Sequence, residues 1–263
     1  EKGRKDEPMD TGDRDPCQEL TPAKRNSYFS GQLLTEDDFR EEQEYFRGKG
    51  KRHNRYLHGY GVVCGLRVVP AGPSQPMCVV VEPGLALDAW GREIVVPEPV
   101  EFDLGERGCR GALGITGRTE SPFLVVEYRE SPADFVPVLP GPAQPGSQEE
   151  SAASRILEAF ELGLRREPPE VGDRVDLELC ELLADGIRQG AGVERLHRLL
   201  CEIVSQPCRP CEPDPGVTLA RIDLPARGAV TDAQIDNCSH RHLALSADRL
   251  LQVLLCTLGS LGR

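Results

Sequence analysis

Residues 53–68, HNRYLHGYGVVCGLRV, are where the chain changes its hydrophobic period, and that change constrains its fold more than any other feature. Upstream, Phe39, Phe46, His53 and Leu57 recur at helical spacing and form one apolar stripe. Thr35 followed by Asp38 is a helix-start pattern, in which side-chain oxygens satisfy free backbone N–H groups. Glu36, Asp37 and Asp38 suit the positive end of the helix dipole, and Lys49–Arg52 suit the negative end. Gly48 and Gly50 each cost about 1 kcal/mol relative to alanine, so a break or kink is expected near them. From Gly61 onward the pattern is that of strands. GVVCGLRVV, MCVVVEPGLALDAWGREIVV and FLVVEYRE are short β-rich runs separated by Gly, Pro and Asp. Asp88-Ala89-Trp90-Gly91 reads as a tight connection between two of them.

The rest of the chain mixes both periods. Residues 131–154 are rich in Pro and Gly and read as a loop or linker. SRILEAFELGLRRE alternates like a strand, with a short helix as the alternative, and GVTLARIDL is another strand. VDLELCELLADGIRQ and VERLHRLLCEIV have i, i+3, i+4, i+7 spacing and read as a helical hairpin. Ser246 is placed to cap a last apolar helix, ADRLLQVLLCTLGSL. The class is therefore α+β: an N-terminal helix packed on a small, mainly antiparallel sheet, then a mixed helix/strand C-terminal half. The expected divisions are a charged tail over 1–24, a helix-plus-sheet region over 25–130, the loop over 131–154, and a mixed region over 155–263.

A formal charge of −12 argues against a protein whose main partner is nucleic acid or an anionic membrane. No run approaches the roughly 18–20 apolar residues of a membrane-spanning helix. Ten cysteines are many, yet the chain is too long to need disulfide staples. Cys64, Cys180, Cys201 and Cys256 fall within apolar patterns and read as small buried hydrophobes.

Three groups of residues could carry chemistry. In a continuous α-helix His53 and His58 lie about 140° apart, because each residue advances about 100°. They would not converge on one ion, and the Asn54, Gly59 and Gly61 around them suit a helix end and a turn. The second group is the Cys208-x-x-Cys211 pair with Cys238 and His240. Two thiols followed by a distant Cys/His pair match structural zinc spacing, so these four are the candidate metal ligands and Zn2+ the candidate cofactor. The rival reading is a disulfide between Cys208 and Cys211, or reduced thiols. The third group is the adjacent carboxylates, such as Asp37 and Asp38, which point about 100° apart on a helix and read as solvated faces. Asp88 reads as closing its own turn. No nucleophile elbow, phosphate-binding loop, H-E-x-x-H or dinucleotide fingerprint is present. No catalytic residue is assigned.

YFSGQLLTEDDFREEQEYF, RHNRYLHGYGVVCGLRV and VEPGLALDAWGREIVV together resemble a family of mostly uncharacterised bacterial proteins associated with phage-tail-like extracellular contractile injection systems. SRILEAFEL, VTLARIDL and IDNCSHRHLALS are similar to that family's second half, so the resemblance covers most of 26–255. It implies a non-enzymatic structural or adaptor component near the baseplate, spike or tube end. The partners would be other subunits in a homo- or hetero-oligomeric particle. The location would be the bacterial cytoplasm during assembly, then a released or membrane-docked particle. The alternative class is a zinc-containing enzyme or effector, such as a hydrolase, delivered by such a particle.

Overall fold

A computed structural model describes residues 22–105, 121–137, 151–169, 193–205, 208, 216–225, 228–247 and 250. The chain divides into two compact units, Glu1–Pro169 with Pro215–Arg263, and Glu170–Asp214. Among its described residues the first unit is strand-rich with one long helix, so the class is α+β. The expected final helix lies almost wholly outside the described residues, although the Leu250 N–H already donates to the Ser246 carbonyl.

Helix α1 (Glu36–His53) starts where the sequence places it. The Asp38 carboxylate accepts the backbone N–H and the hydroxyl of Thr35, each at 2.7 Å. Those hydrogen bonds hold the Asp38 carboxyl below its usual range. The expected break at Gly48 and Gly50 does not occur. Glycine costs a helix entropy without obstructing it, and side chains further along tie that end of α1 to the sheets. The irregularity comes later, as a π-helical turn over Asn54–His58 that ends at Gly59.

Among the described residues ten strands follow in three antiparallel sheets. Strand β1 (Gly61–Gly65) pairs with β4 (Gly84–Leu87), which pairs with β5 (Glu93–Val96). Strand β2 (Val68–Pro70) pairs with β3 (Cys78–Val81), and β3 with β6 (Val100–Asp103). The third sheet has the order β10-β9-β7-β8. Its strands are β7 (Phe123–Pro137), β8 (Ser151–Arg165), β9 (Val217–Ile222) and β10 (Ile235–Asp236). All three sheets contribute to one core. Leu66, Val68, Val79, Val81, Ile94, Leu124, Leu219 and Ile222 are fully enclosed in it.

The sequence division at 131–154 gives way to this sheet. Residues 131–137 extend β7 and residues 151–154 open β8, while 138–150 lie outside the described residues. Strand β9 joins the other edge of β7, so the halves before and after the segment share one sheet. Proline is tolerated here because Pro132 and Pro137 lie past the last β7–β9 pair, Val126 with Val217.

The chain after β10 fastens the sheets together. The Asn237 amide mimics a strand, accepting the Val68 N–H at 2.8 Å and donating to the Val68 carbonyl at 3.0 Å. Val62 N–H donates to the His242 carbonyl, and Ala244 N–H donates to the Val62 carbonyl. Arg241 donates to the Gly65 carbonyl.

Helix α1 meets the sheets at its C-terminal end, at the turn between β4 and β5. Gly91 has a φ of +83°, and a Cβ there would stand 2.1 Å from the Lys51 carbonyl oxygen. Both its conformation and that close approach require glycine. Gly91→Ala is expected to destabilise the protein by about 2 kcal/mol or more, through strain and displacement of the helix end. Urea unfolding followed by circular dichroism measures it.

Candidate functional site

A polar cluster grows from the same turn. Asp88 is fully enclosed, and its carboxylate accepts the N–H groups of Trp90 (2.9 Å) and Arg92 (2.8 Å) and the Arg92 Nε (2.6 Å). The expected turn-closing role of Asp88 is therefore observed, with Arg92 as an ion-pair partner that the sequence did not reveal. The Arg92 guanidinium lies 4.5 Å from the Trp90 ring centroid and 4.6 Å from that of Tyr128. An arginine so placed is attracted to the negative faces of both rings. The Tyr128 hydroxyl donates to Glu130 at 2.8 Å, and Glu130 also receives Arg47 of α1 at 2.6 Å. A continuous chain of polar contacts thus links the β4–β5 turn, β7 and the helix. Burial pushes the Asp88 carboxyl above its usual range against the opposing pull of Arg92. Burial, and then Glu130, push the Tyr128 phenol well above its usual range. The groups satisfy one another, and the cluster braces the fold.

The junction at 53–68 is a joint between helix and sheet, as expected. Asn54 donates to the Gly91 carbonyl at 3.1 Å and to Glu93 at 3.4 Å. The histidines depart from expectation. The π turn packs more residues into each turn than an α-helix does, which narrows the phase difference. His53 and His58 stand with ring centroids 5.1 Å apart and their Nε2 atoms 3.3 Å apart. They face each other across an exposed surface, and one imidazole can donate to the other. No group of three or more His, Cys, Asp or Glu able to hold a metal forms among the described residues.

Of the four candidate zinc ligands, Cys211 lies outside the described residues and Cys208 belongs to the second unit. Cys238 and His240 belong to the first unit, where each sits in a defined setting. Asp236 accepts the N–H groups of Cys238 (2.8 Å) and Ser239 (3.0 Å), and the His240 ring meets Phe123 edge-on at 5.0 Å. Cys64 and Cys201, expected to be buried, are exposed, while Cys180 and Cys256 lie outside the described residues. For Cys64 the cause is a register irregularity in β1 between Val62 and Cys64, beyond which the strand faces solvent.

Two stretches stand out among those that expose large apolar side chains. On α1, the segment before it and the π turn after it, Phe29, Leu33, Phe39, Phe46 and Leu57 are each more than half exposed. The expected apolar stripe therefore faces outward, and α1 buries none of its residues. The second stretch is the outer half of the β7–β8 ribbon, where Ser131–Pro137 pairs with Ser151–Leu157. Neighbours along a strand alternate, which puts Phe135 and Val136 on opposite faces, and Ile156 and Leu157 likewise. All four are exposed, Phe135 by 64% and Leu157 by 59%. The proline-rich composition hid this ribbon, although the spacing of Phe135 and Val136 among small residues was its signal.

No protein-family model matches the chain, and a search of curated proteins finds no match to its sequence. No helix among the described residues is long and apolar enough to cross a membrane.

Two outcomes are expected. Asp88→Ala leaves Arg92 charged and enclosed without its carboxylate, and such losses cost about 3–5 kcal/mol, readable as a lowered urea midpoint. Asp236 makes one contribution to the pH dependence of stability. Hydrogen bonds from the Ser239 hydroxyl and N–H and from the Cys238 N–H lower its carboxyl to about 2. A depressed carboxyl stabilises the fold above its unfolded value, about 3.9, and loses that contribution as pH falls through its folded value. Wild type should therefore exceed Asp236→Asn in stability at pH 6, with the gap closing as the pH falls from about 4 to 2. Denaturation midpoints across that range test it.

Proposed function

We propose that this chain is a non-enzymatic structural or adaptor component of a multi-subunit particle, of the phage-tail-like contractile kind that its sequence resemblance implies. The ribbon formed by the outer halves of β7 and β8 is the observation that carries the reading. A two-stranded ribbon standing alone is only marginally stable in water. This one has large apolar side chains exposed on both faces. Neither face is arranged for solvent. Strand β8 is also the last strand of its sheet, so its outer backbone edge is open among the described residues. Exposed edges and apolar ribbons are what a partner strand or subunit covers.

The outward stripe of α1 supports the same reading. Phe39 and Phe46, seven residues apart on one face, are both exposed among charged and polar neighbours. Aromatic anchors within polar surroundings are the usual composition of a subunit contact. The polar cluster around Asp88 contributes rigidity, holding α1 by its C-terminal end while its apolar stripe stays exposed.

Particle imaging tests the proposal. The protein should co-purify with intact contractile particles and appear in their density, and its deletion should block assembly or firing. Phe135→Ser combined with Leu157→Ser should leave the thermal midpoint of the isolated protein within about 2 °C of wild type, because both positions are exposed. The same double variant should fail to incorporate. Normal particles that lack the protein, or unimpaired incorporation of the variant, would refute the reading.

A further inference from the structure

Helix α1 carries its charges in two blocks. Residues 36–44 hold six carboxylates against one arginine, and residues 45–55 hold five Lys or Arg with no carboxylate. Through both blocks runs a seam with the alternating three- and four-residue spacing of a helix-pairing face: Glu36, Phe39, Gln43, Phe46, Gly50 and His53. All six are exposed, Phe39 by 56% and Phe46 by 63%. Asn26 and Tyr28 reach α1 on one side of the seam, at the Asp38 carbonyl and at Glu42. The sheets hold it on the other side, through Arg47 and Asn54. At about 100° per residue the seam falls between these attachments.

We infer that α1 pairs antiparallel with α1 of a second copy of this chain, about a two-fold axis between Glu44 and Tyr45. The inference rests on the reading that the outward stripe is a subunit contact, and it names the partner. Antiparallel pairing lays the acidic half of each helix along the basic half of the other, twice over. A parallel pair would set like charge against like along its whole length, which is costly. The axis also puts Phe39 of one copy opposite Gly50 of the other, Phe46 opposite Gln43, and Glu36 opposite His53. Arg40 and Arg47, which flank the axis on one side, already have their own carboxylates in Glu36 and Glu130.

Gly50 is the residue that the single chain leaves unexplained. It lies within the helix, where glycine is less stable than alanine, and a Cβ there would meet nothing within 4 Å. Across the two-fold seam the missing side chain leaves the space that a phenylalanine ring enters, which lets two backbones approach to the 8–10 Å or so of packed helices. One helix face of 18 residues is smaller than the roughly 800 Å2 per partner of a standard stable interface. The isolated pair is therefore a weak dimer, with a Kd of about 10–100 µM.

Sedimentation velocity on the full chain, from about 1 to about 500 µM, tests the inference. Wild type should pass from monomer to dimer across that range. Raising NaCl from about 50 to about 500 mM should weaken the dimer by about tenfold, since exposed charges are screened. Phe46→Ser should abolish it. Gly50→Gln is the discriminating variant: glutamine favours a helix and its Cβ meets no obstacle within the chain, so the thermal midpoint should rise by about 2–4 °C. The same variant should weaken dimerisation by about tenfold or more, because it fills the space for Phe39. A p-benzoylphenylalanine at position 39 should cross-link to residues 47–53 of the second copy, whereas a parallel pair would place the adduct at 36–42. A monomer at every concentration, a dimer indifferent to both Phe46→Ser and Gly50→Gln, or an adduct at 36–42 would each overturn the inference. A dimer that joins no contractile particle would keep this inference and refute the particle reading, and a monomer that enters particles would do the opposite.

Discussion

The enclosed carboxylate of Asp88 is the interaction on which the first unit depends. A carboxylate cannot be buried without donors, and here the turn that it closes supplies them through Trp90 and Arg92. Closing the turn fixes the β4–β5 hairpin and presents Gly91 to the end of α1. It also places the Arg92 guanidinium between two aromatic rings, and Tyr128 extends the arrangement to Glu130 and Arg47. Sheet, turn and helix are thus positioned by one set of mutually satisfied polar groups. Such networks specify geometry more than they add stability, because the desolvation of each charge offsets much of the attraction.

That bracing explains how α1 can remain attached while burying none of its own side chains. A helix in a small domain is usually held by its apolar face. Here the apolar face points outward, and the attachment is made at the C-terminal end by Asn54, Arg47 and the close approach of Lys51 to Gly91. The arrangement leaves the aromatic stripe available to a partner.

Much of the fold was legible in the sequence. The Thr35–Asp38 start, the change of period at Gly61, the strand over SRILEAFELGLRRE and the helix over VERLHRLLCEIV all rest on local pattern, and local pattern decides them. What escaped was what local pattern does not encode. The meeting of His53 and His58 depends on a π turn, whose phase differs from the 100° step assumed for a helix. Uninterrupted passage through Gly48 and Gly50 shows tertiary anchoring overriding a propensity of about 1 kcal/mol per residue. The β7–β8 ribbon was hidden because proline and glycine signal a loop, while its long cross-strand pairing is non-local. Periodicity identifies the stripe of Phe39 and Phe46 but cannot say whether the protein's own sheet or another subunit covers it.

This last ambiguity bears directly on function. An amphipathic pattern is equally strong whether its apolar face is satisfied within the chain or between chains, since the same transfer of apolar surface from water drives both. Among the described residues the core draws no member from the outer ribbon or from α1, and Leu66, Ile94, Leu124 and Leu219 are fully enclosed in it. The apolar side chains of Phe39, Phe46, Phe135 and Leu157 are therefore additional to what the fold requires. Apolar side chains on the two faces of a projecting ribbon and along an outward helix carry a standing risk of aggregation. A subunit whose ribbon and helix are covered by its neighbours escapes that risk, and this favours an assembly component over a protein that acts alone.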